Sequence, residues 1–411
     1  MSESVQIFSE EPAPETTGTP CVTLMGVGKG GISIVSKINL PDIPLTRIAA
    51  DTSRSDLESV PSEICRKLCL GEKSLRGFGA GLRAKSGEKA AKESEKQIAA
   101  ELAGTDLLLL VTALGHGTGS GASPEIAKIA QSLGITVVCF ATNPFSDEGK
   151  VFTEQAAEAV GKLSNLCNAF VLVDNDVVAQ VTAGNQKFED IYDTGRTWIE
   201  RGVAVCCSMI FSAKTETRLD FSSFKSIFPV AGTRTLFAVG NGKGENAVGD
   251  ALETLFRCPL LQTGRAAIHA DTLAIRVCAG SAPSMQQMEE ISKCIQERFG
   301  GEERTLSNFA VFPEMEDEIA INVIGADDVQ LTQRRRERTV PAPGNGKSVL
   351  APSFSNPDDE EDELTFSDAG HGKKQLYEGV DLDTPTYRRK RIKLQDELDA
   401  WRRRRKSASN A

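Results

Sequence analysis

The uncharged run Leu107 to Ala113 passes directly into Gly115-His116-Gly117-Thr118-Gly119-Ser120-Gly121. A short continuous apolar run of this kind suits a strand buried on both faces of a parallel sheet. Alternating glycines just past a strand let successive backbone N–H groups converge on one concavity, and a helix that starts there adds the positive end of its dipole. The pattern predicts that helix with Ser123 as N-cap, Pro124 at its first position, an apolar stripe of Ile126, Ile129, Ala130 and Leu133, and Gly134 as its stop. Phosphate is the natural occupant of such a loop, with the Thr118 and Ser120 hydroxyls adding hydrogen bonds. The competing reading is that these glycines serve only tight packing.

A second glycine cluster, Gly26 to Gly31, follows the first apolar run and precedes a helix expected over Ile32 to Ile38. It supplies Gly28, Lys29, Gly30, Gly31 and, one turn on, Ser33 as candidate phosphate ligands. It also formally contains G-x-G-x-x-G, which with Asp51 as ribose partner would suit a dinucleotide, although glycine-dense text meets that pattern easily. A third cluster, Gly77 to Gly81 between Arg76 and Arg83, fits either a cover for a terminal phosphate or a surface loop. After the strand expected over Ile135 to Ala141 come Glu148, placed to meet a ribose hydroxyl, and Lys150. Asn175 follows the next strand, and Asp190 is a candidate partner for a purine's exocyclic N–H groups. In a parallel sheet all these loops open on one edge, where ligands bind.

Strand-like runs at Cys21 to Val27, Arg47 to Ala50, Leu107 to Ala113, Ile135 to Ala141 and Phe170 to Val173 alternate with helical patterns. The fold class is therefore α/β, a Rossmann-like parallel sheet covered by helices. Phe188 to Ile210 reads as a long helix. Beyond it, strands at Thr235 to Val239, Ala266 to His269, Leu273 to Cys278 and Ile319 to Ile324, with helices at Glu245 to Phe256 and Ser284 to Phe299, predict a smaller mixed α/β domain. The expected boundaries are an N-terminal extension 1–20, a nucleotide domain 21–186, a connecting helix 187–211, a second domain 212–326, a disordered linker 327–379 and a tail 380–411.

With 47 basic against 57 acidic side chains and a net charge of -10, the chain offers no globally basic surface for nucleic acid. Its ten cysteines sit mostly within apolar runs and suit a reducing compartment, and Cys65 and Cys69 lack the second pair that a zinc site requires. No metal ligand set is expected. The start lacks an export pattern, and no apolar run approaches the roughly 20 residues of a membrane span, so the expectation is a cytoplasmic protein.

Taken together and in this order, the loops resemble the FtsZ family of cell-division proteins in the tubulin-like GTPase superfamily, over about Val22 to Gly325. Gly115 to Pro124 resembles the family's signature loop, and Pro144-Phe145 with Glu148-Gly149 its ribose loop. Gly242 to Glu245 with Cys258-Pro259-Leu260-Leu261 resembles the start of its second domain. In the tail, Asp383, Pro385, Tyr387, Arg388 and Arg389 fall in a stretch similar to the family's partner-docking peptide. The resemblance implies GTP and GDP as ligands, with Mg2+ a candidate companion. It also implies a head-to-tail homopolymer at the division site, GTP hydrolysis between subunits, and membrane tethers or regulators docking on the tail. The basic stretch ending in Arg402 to Lys406 adds a contact for anionic membrane or for DNA phosphates.

The departures from the family are specific. Lys29 stands for Gly, Ser33 for Asn, Leu82-Arg83-Ala84 for Gly-Asn-Pro, and Phe152 for an arginine. The family's Asn-x-Asp-x-x-Asp corresponds to Arg218-Leu219-Asp220-Phe221-Ser222-Ser223. Asp220 is thus the one carboxylate left to orient the attacking water, which leaves a relative that binds GTP without turnover as the alternative.

Overall fold

The computed structural model describes residues 19–40, 43–181, 188–211, 221–262, 269–327, 376–377 and 380–381. The chain divides into Met1–Val329 and Gln330–Ala411.

Within the first unit the chain alternates strand and helix: β1 (Val22–Val27), α1 (Gly28–Lys37), β2 (Leu45–Asp51), α2 (Arg54–Glu58), β3 (Arg66–Cys69), α3 (Glu72–Leu75), α4 (Ala84–Glu93) and α5 (Glu95–Glu101). It continues through β4 (Leu107–Ala113), α6 (Gly117–Ser132), β5 (Thr136–Asn143), α7 (Lys150–Leu166), β6 (Ala169–Asp174) and α8 (Asn175–Val181). The six strands form one sheet in the order β3-β2-β1-β4-β5-β6, with every pair parallel. All six residues of β1 are buried, as are the first six of β4. That burial is what a parallel sheet covered on both faces demands, and it explains why these strands read as unbroken apolar runs rather than alternating ones.

The long helix α9 (Phe188–Phe211) follows, then α10 (Phe221–Ile227). Gly202 in α9 presses on the Phe140 ring of β5, because a Cβ there would lie 2.3 Å from the ring edge. The second sheet comprises β7 (Arg234–Lys243), β8 (Ala270–Ala279), β9 (Gly300–Val311) and β10 (Glu318–Asp327), with α11 (Ala247–Phe256) and α12 (Met285–Phe299) between strands. Its order is β7-β10-β8-β9, with β10 antiparallel to both neighbours and β8 parallel to β9. Ser284 and Gln287 form a capping box that starts α12. In the second unit, Leu376–Tyr377 pairs antiparallel with Val380–Asp381.

Three expectations change. A strand was expected over Ala266 to His269, but β8 starts at Ala270, and 263–268 lie outside the described residues. Two strands were not anticipated. β3 is short and carries exposed Arg66 and Lys67, whereas β9 contains Glu302, Glu303 and Arg304, a charged stretch that hides a strand from an apolar-run search.

Candidate functional site

The sheet order places β1 beside β4, with Val27 opposite Thr112, and the chain leaves these two strands toward opposite sides of the sheet. This is the topological switch point, whose crevice at the strands' carboxyl ends is the ligand position of open α/β sheets. Both glycine clusters lie there.

The helix after β4 begins at Gly117, earlier than Ser123 and Pro124 would suggest, and both of those residues lie inside it. Ser123 is fully buried, and its hydroxyl donates to Thr112 Oγ1 at 2.9 Å instead of capping a helix end. Thr112 in turn donates to the Val27 carbonyl at 3.3 Å, tying α6 to β4 and β1. In the expected stripe, Ile126, Ile129 and Ala130 are buried, but Leu133 is 47% exposed; Gly134, with φ +75°, follows the helix. Likewise α1 begins at Gly28, with φ +73°, rather than at Ile32.

The glycines are helical because nothing larger fits. A Cβ on Gly119 would lie 2.0 Å from the Ala113 carbonyl oxygen, and one on Gly121 2.0 Å from that of Ala84 in α4. On Gly31 it would lie 2.4 Å from the Val111 carbonyl. The Cα sides of these residues are therefore packed against β4 and α4, which seats the first turns of α1 and α6 with their free N–H groups, those of Gly117, Thr118 and Gly119 in α6, at the crevice.

No side chain caps either α1 or α6, whose N-cap residues are Val27 and His116. The first turns also lie side by side, since a Cβ on Gly28 would be 3.0 Å from the Gly119 nitrogen. Two adjacent helix N-termini with uncapped N–H groups concentrate partial positive charge on one spot, which suits phosphate groups. Gly115, with φ +98°, makes the turn before α6 and donates its N–H to Ser120 Oγ at 2.7 Å. His116 is exposed and stacks on Phe152 of α7, ring centroids 5.0 Å apart. Lys29 is also exposed, with Nζ 3.9 Å from Asp56.

Asp51, considered above only as a ribose partner, is buried beneath this point. Its Oδ1 accepts from the Thr52 and Ser53 N–H groups at 2.6 and 3.2 Å and from the Thr118 hydroxyl at 3.1 Å, while Thr118 and Thr52 share a hydroxyl contact of 2.7 Å. Its role is to hold Thr118 in the first turn of α6. Burial pushes the carboxyl above its ordinary value of 3.8, against the lowering effect of its hydrogen bonds. A raised value in the folded state means that the stability from this group is present at low pH and is lost as the pH rises through the folded-state value. Asp51→Asn removes that dependence, so its melting temperature relative to the natural chain should rise as the pH is increased upward from the carboxyl's ordinary value of 3.8.

Gln155 of α7 carried no signal in the sequence, yet it joins the third glycine cluster to the first. Its Nε2 donates to the Leu82 and Gly115 carbonyls, both at 3.1 Å, and its Oε1 accepts from the Ala84 N–H at 2.6 Å. Leu82 is held at φ +63°, a left-handed conformation that disfavours a branched side chain. Gln155→Ala is expected to cost about 1–3 kcal/mol in urea unfolding by stranding these backbone groups, and to weaken nucleotide binding measured in parallel.

Farther along the same edge, the Phe145 N–H donates to Glu148 Oε1 at 2.9 Å, and the Phe145 ring meets Tyr192 of α9 edge-on at 5.5 Å. Burial, with the Glu148 carboxylate second, raises the Tyr192 hydroxyl's pKa. Asn175 is buried facing Gly195 of α9, where a Cβ would come within 3.7 Å of Oδ1. Lys150 pairs with Glu154 at 3.5 Å, and Ser33 is exposed on α1. Asp190 lies in the first turn of α9, but its side chain is outside the described residues, as are Asp220, Asp383, Pro385, Tyr387, Arg388 and Arg389.

Residues 22–183, which span this edge, match the family model described as Tubulin/FtsZ family, GTPase domain. Over this span the chain is similar to a tubulin/FtsZ-type GTPase domain. Among solved structures, the chain is similar to an empty FtsZ dimer from M. jannaschii, at 21% identity and a TM-score of 0.68, covering 76% of this chain and 89% of that one. It is similar also to CetZ2 from Haloferax volcanii in a GTPgS-bound protofilament, at 19% identity and a TM-score of 0.60, covering 77% and 97%. A CetZ from Methanosaeta thermophila matches at 18% identity and a TM-score of 0.57, covering 78% and 90%. At such identities the likeness is one of fold, and at 76–78% of the chain it extends beyond residues 22–183.

Proposed function

We propose that this protein binds GTP at the β1/β4 switch point, assembles head-to-tail into filaments, and hydrolyses the nucleotide between subunits during cell division in the cytoplasm. The observation that carries the reading is the pair of uncapped, glycine-lined helix N-termini at the switch point of a tubulin/FtsZ-type domain. On this reading the first turns of α1 and α6 hold the phosphates, Glu148 meets the ribose, and Asn175 with Asp190 faces the base. Mg2+ would be carried chiefly by the nucleotide's own phosphates and water, since no cluster of three or more candidate ligands occurs among the described residues.

Head-to-tail contact of a heterologous kind does not close on itself, and filaments follow from it. The Haloferax volcanii relative, solved as a protofilament, is consistent with that geometry. The tail from Asp381 to Arg389 would dock tethers or regulators, with the following basic residues adding a membrane-surface contact. Light scattering of the full chain should rise with GTP and stay near baseline with GDP; equal scattering in both would overturn the assembly reading. The second reading, binding without turnover, is favoured by Ser223, which stands in α10 where the family's second carboxylate is expected.

A further inference from the structure

The second sheet contains a row of polar side chains that the nucleotide site does not use. Arg276 of β8 stands opposite Asn322 of β10 on one side and Asn308 of β9 on the other. Residues opposite one another across neighbouring strands project from the same face and lie within mutual reach. Arg276 is fully buried and Asn308 is 3% exposed. Among the described residues, the guanidinium nitrogens Nε, Nη1 and Nη2 have no oxygen or nitrogen partner within hydrogen-bond geometry and only the Cys278 thiol beside them, and neither amide atom of Asn308 has a partner. Burial also pushes the guanidinium's pKa down, and the neighbouring Cys278 thiol acts in the opposite direction.

Two orphaned groups side by side differ from one misplaced side chain. A buried guanidinium without an anion is among the costliest arrangements in a protein interior, and buried amides are nearly always satisfied. The opposite face of the sheet meets α11, because Gly240, one position off the row, has its missing Cβ 2.1 Å from the Ala251 carbonyl. On the row's own face, α10 is held at Ser226 by Arg304 of β9 at 2.7 Å, two alternate positions before Asn308. Asn322 and Cys278, beside Arg276, are only partly covered and form the open side of the row.

The geometry points to an oxyanion site on the β8–β9–β10 face, in which Arg276 takes the charge and Asn308 and Asn322 flank it. The guanidinium fork matches two oxygens of a carboxylate or phosphate. Asn308 presents both an unused donor and an unused acceptor. The acceptor suits a ligand that keeps a hydroxyl proton, so the class is a small hydroxylated oxyanion: hydrogen phosphate or a hydroxycarboxylate. This site lies apart from the nucleotide crevice and does not depend on what that crevice binds.

Thermal unfolding of the full chain tests it, with inorganic phosphate and malate titrated separately at fixed ionic strength and GDP present in every sample. The natural chain should gain melting temperature with at least one of the two anions, and which one responds distinguishes phosphate from hydroxycarboxylate. R276M, having lost an unpaired buried charge, should melt at or above the natural chain in potassium chloride and show no anion-dependent gain. The same gain in R276M, or no gain with either anion in the natural chain, overturns the site. Should R276M fail to fold, N322A serves instead: an apparent dissociation constant raised about tenfold, as for one hydrogen bond to a charged group, supports the site, and an unchanged one rejects it. A failure of GTP binding would leave the contrast between the natural chain and these variants intact.

Discussion

Gly119→Ala is expected to destabilise the protein by about 3 kcal/mol or more and to abolish GTP binding. Overpacking a filled interior costs roughly 1–3 kcal/mol when neighbours can yield. Here the added carbon would sit 2.0 Å from the Ala113 carbonyl oxygen, a backbone atom of a strand paired on both sides. Relief requires α6 to move away from the end of β4, and that movement carries off the Gly117, Thr118 and Gly119 N–H groups. The urea midpoint and binding of a fluorescent GTP analogue, measured together, should both fall. Gly161→Ala in α7 is the control: a Cβ there meets nothing within 4 Å, and alanine in an open helical position should stabilise by about 0.5–1 kcal/mol. Natural stability in Gly119→Ala would mean that α6 does not start where the structure places it.

The same contacts explain what the sequence could and could not disclose. β1 and β4 were legible because burial on both faces leaves an unbroken apolar run, and α9 because its apolar residues recur at helical spacing. The crevice was legible through its glycines. The start of α6 was not, because glycine, threonine and serine are poor helix formers and Ser123-Pro124 is a strong local start signal. Tertiary packing against Ala113 and Ala84 overrides that signal, and it appears only once α4 and β4 are in place. Asp51 and Gln155 were missed as positioning groups for a similar reason. Asp51 acts on Thr118, 67 residues away, and Gln155 on Gly115, 40 residues away, and no local pattern marks such pairs. β9 was hidden by its own charged start, and Arg276 by lying in a run that otherwise reads as an ordinary buried strand.

Asp220→Ala is expected to lower GTP turnover about 10²–10³-fold, in line with the loss of one group that orients or stabilises the reacting centre, while leaving GTP affinity unchanged. The separation follows from the proposed geometry, because Asp220 would act on the nucleotide of the neighbouring subunit and not on its own. Thr118→Ala should do the reverse. Thr118 belongs to the first turn of α6 and is held there by Asp51, so its loss weakens nucleotide binding but spares the carboxylate offered to a neighbour. Mixing the two variants then decides whether the active site is shared. In a random head-to-tail polymer, about a quarter of the contacts would join an intact nucleotide site to an intact Asp220. At a GTP concentration that saturates the natural site but leaves the weakened Thr118→Ala site empty, each variant alone is nearly inactive, and phosphate release in the mixture should recover to about that share of the natural rate. A mixture no faster than the mean of its components would place the chemistry within one subunit. Full natural turnover in Asp220→Ala would remove Asp220 from the mechanism and leave GTP as a ligand whose hydrolysis depends on other groups.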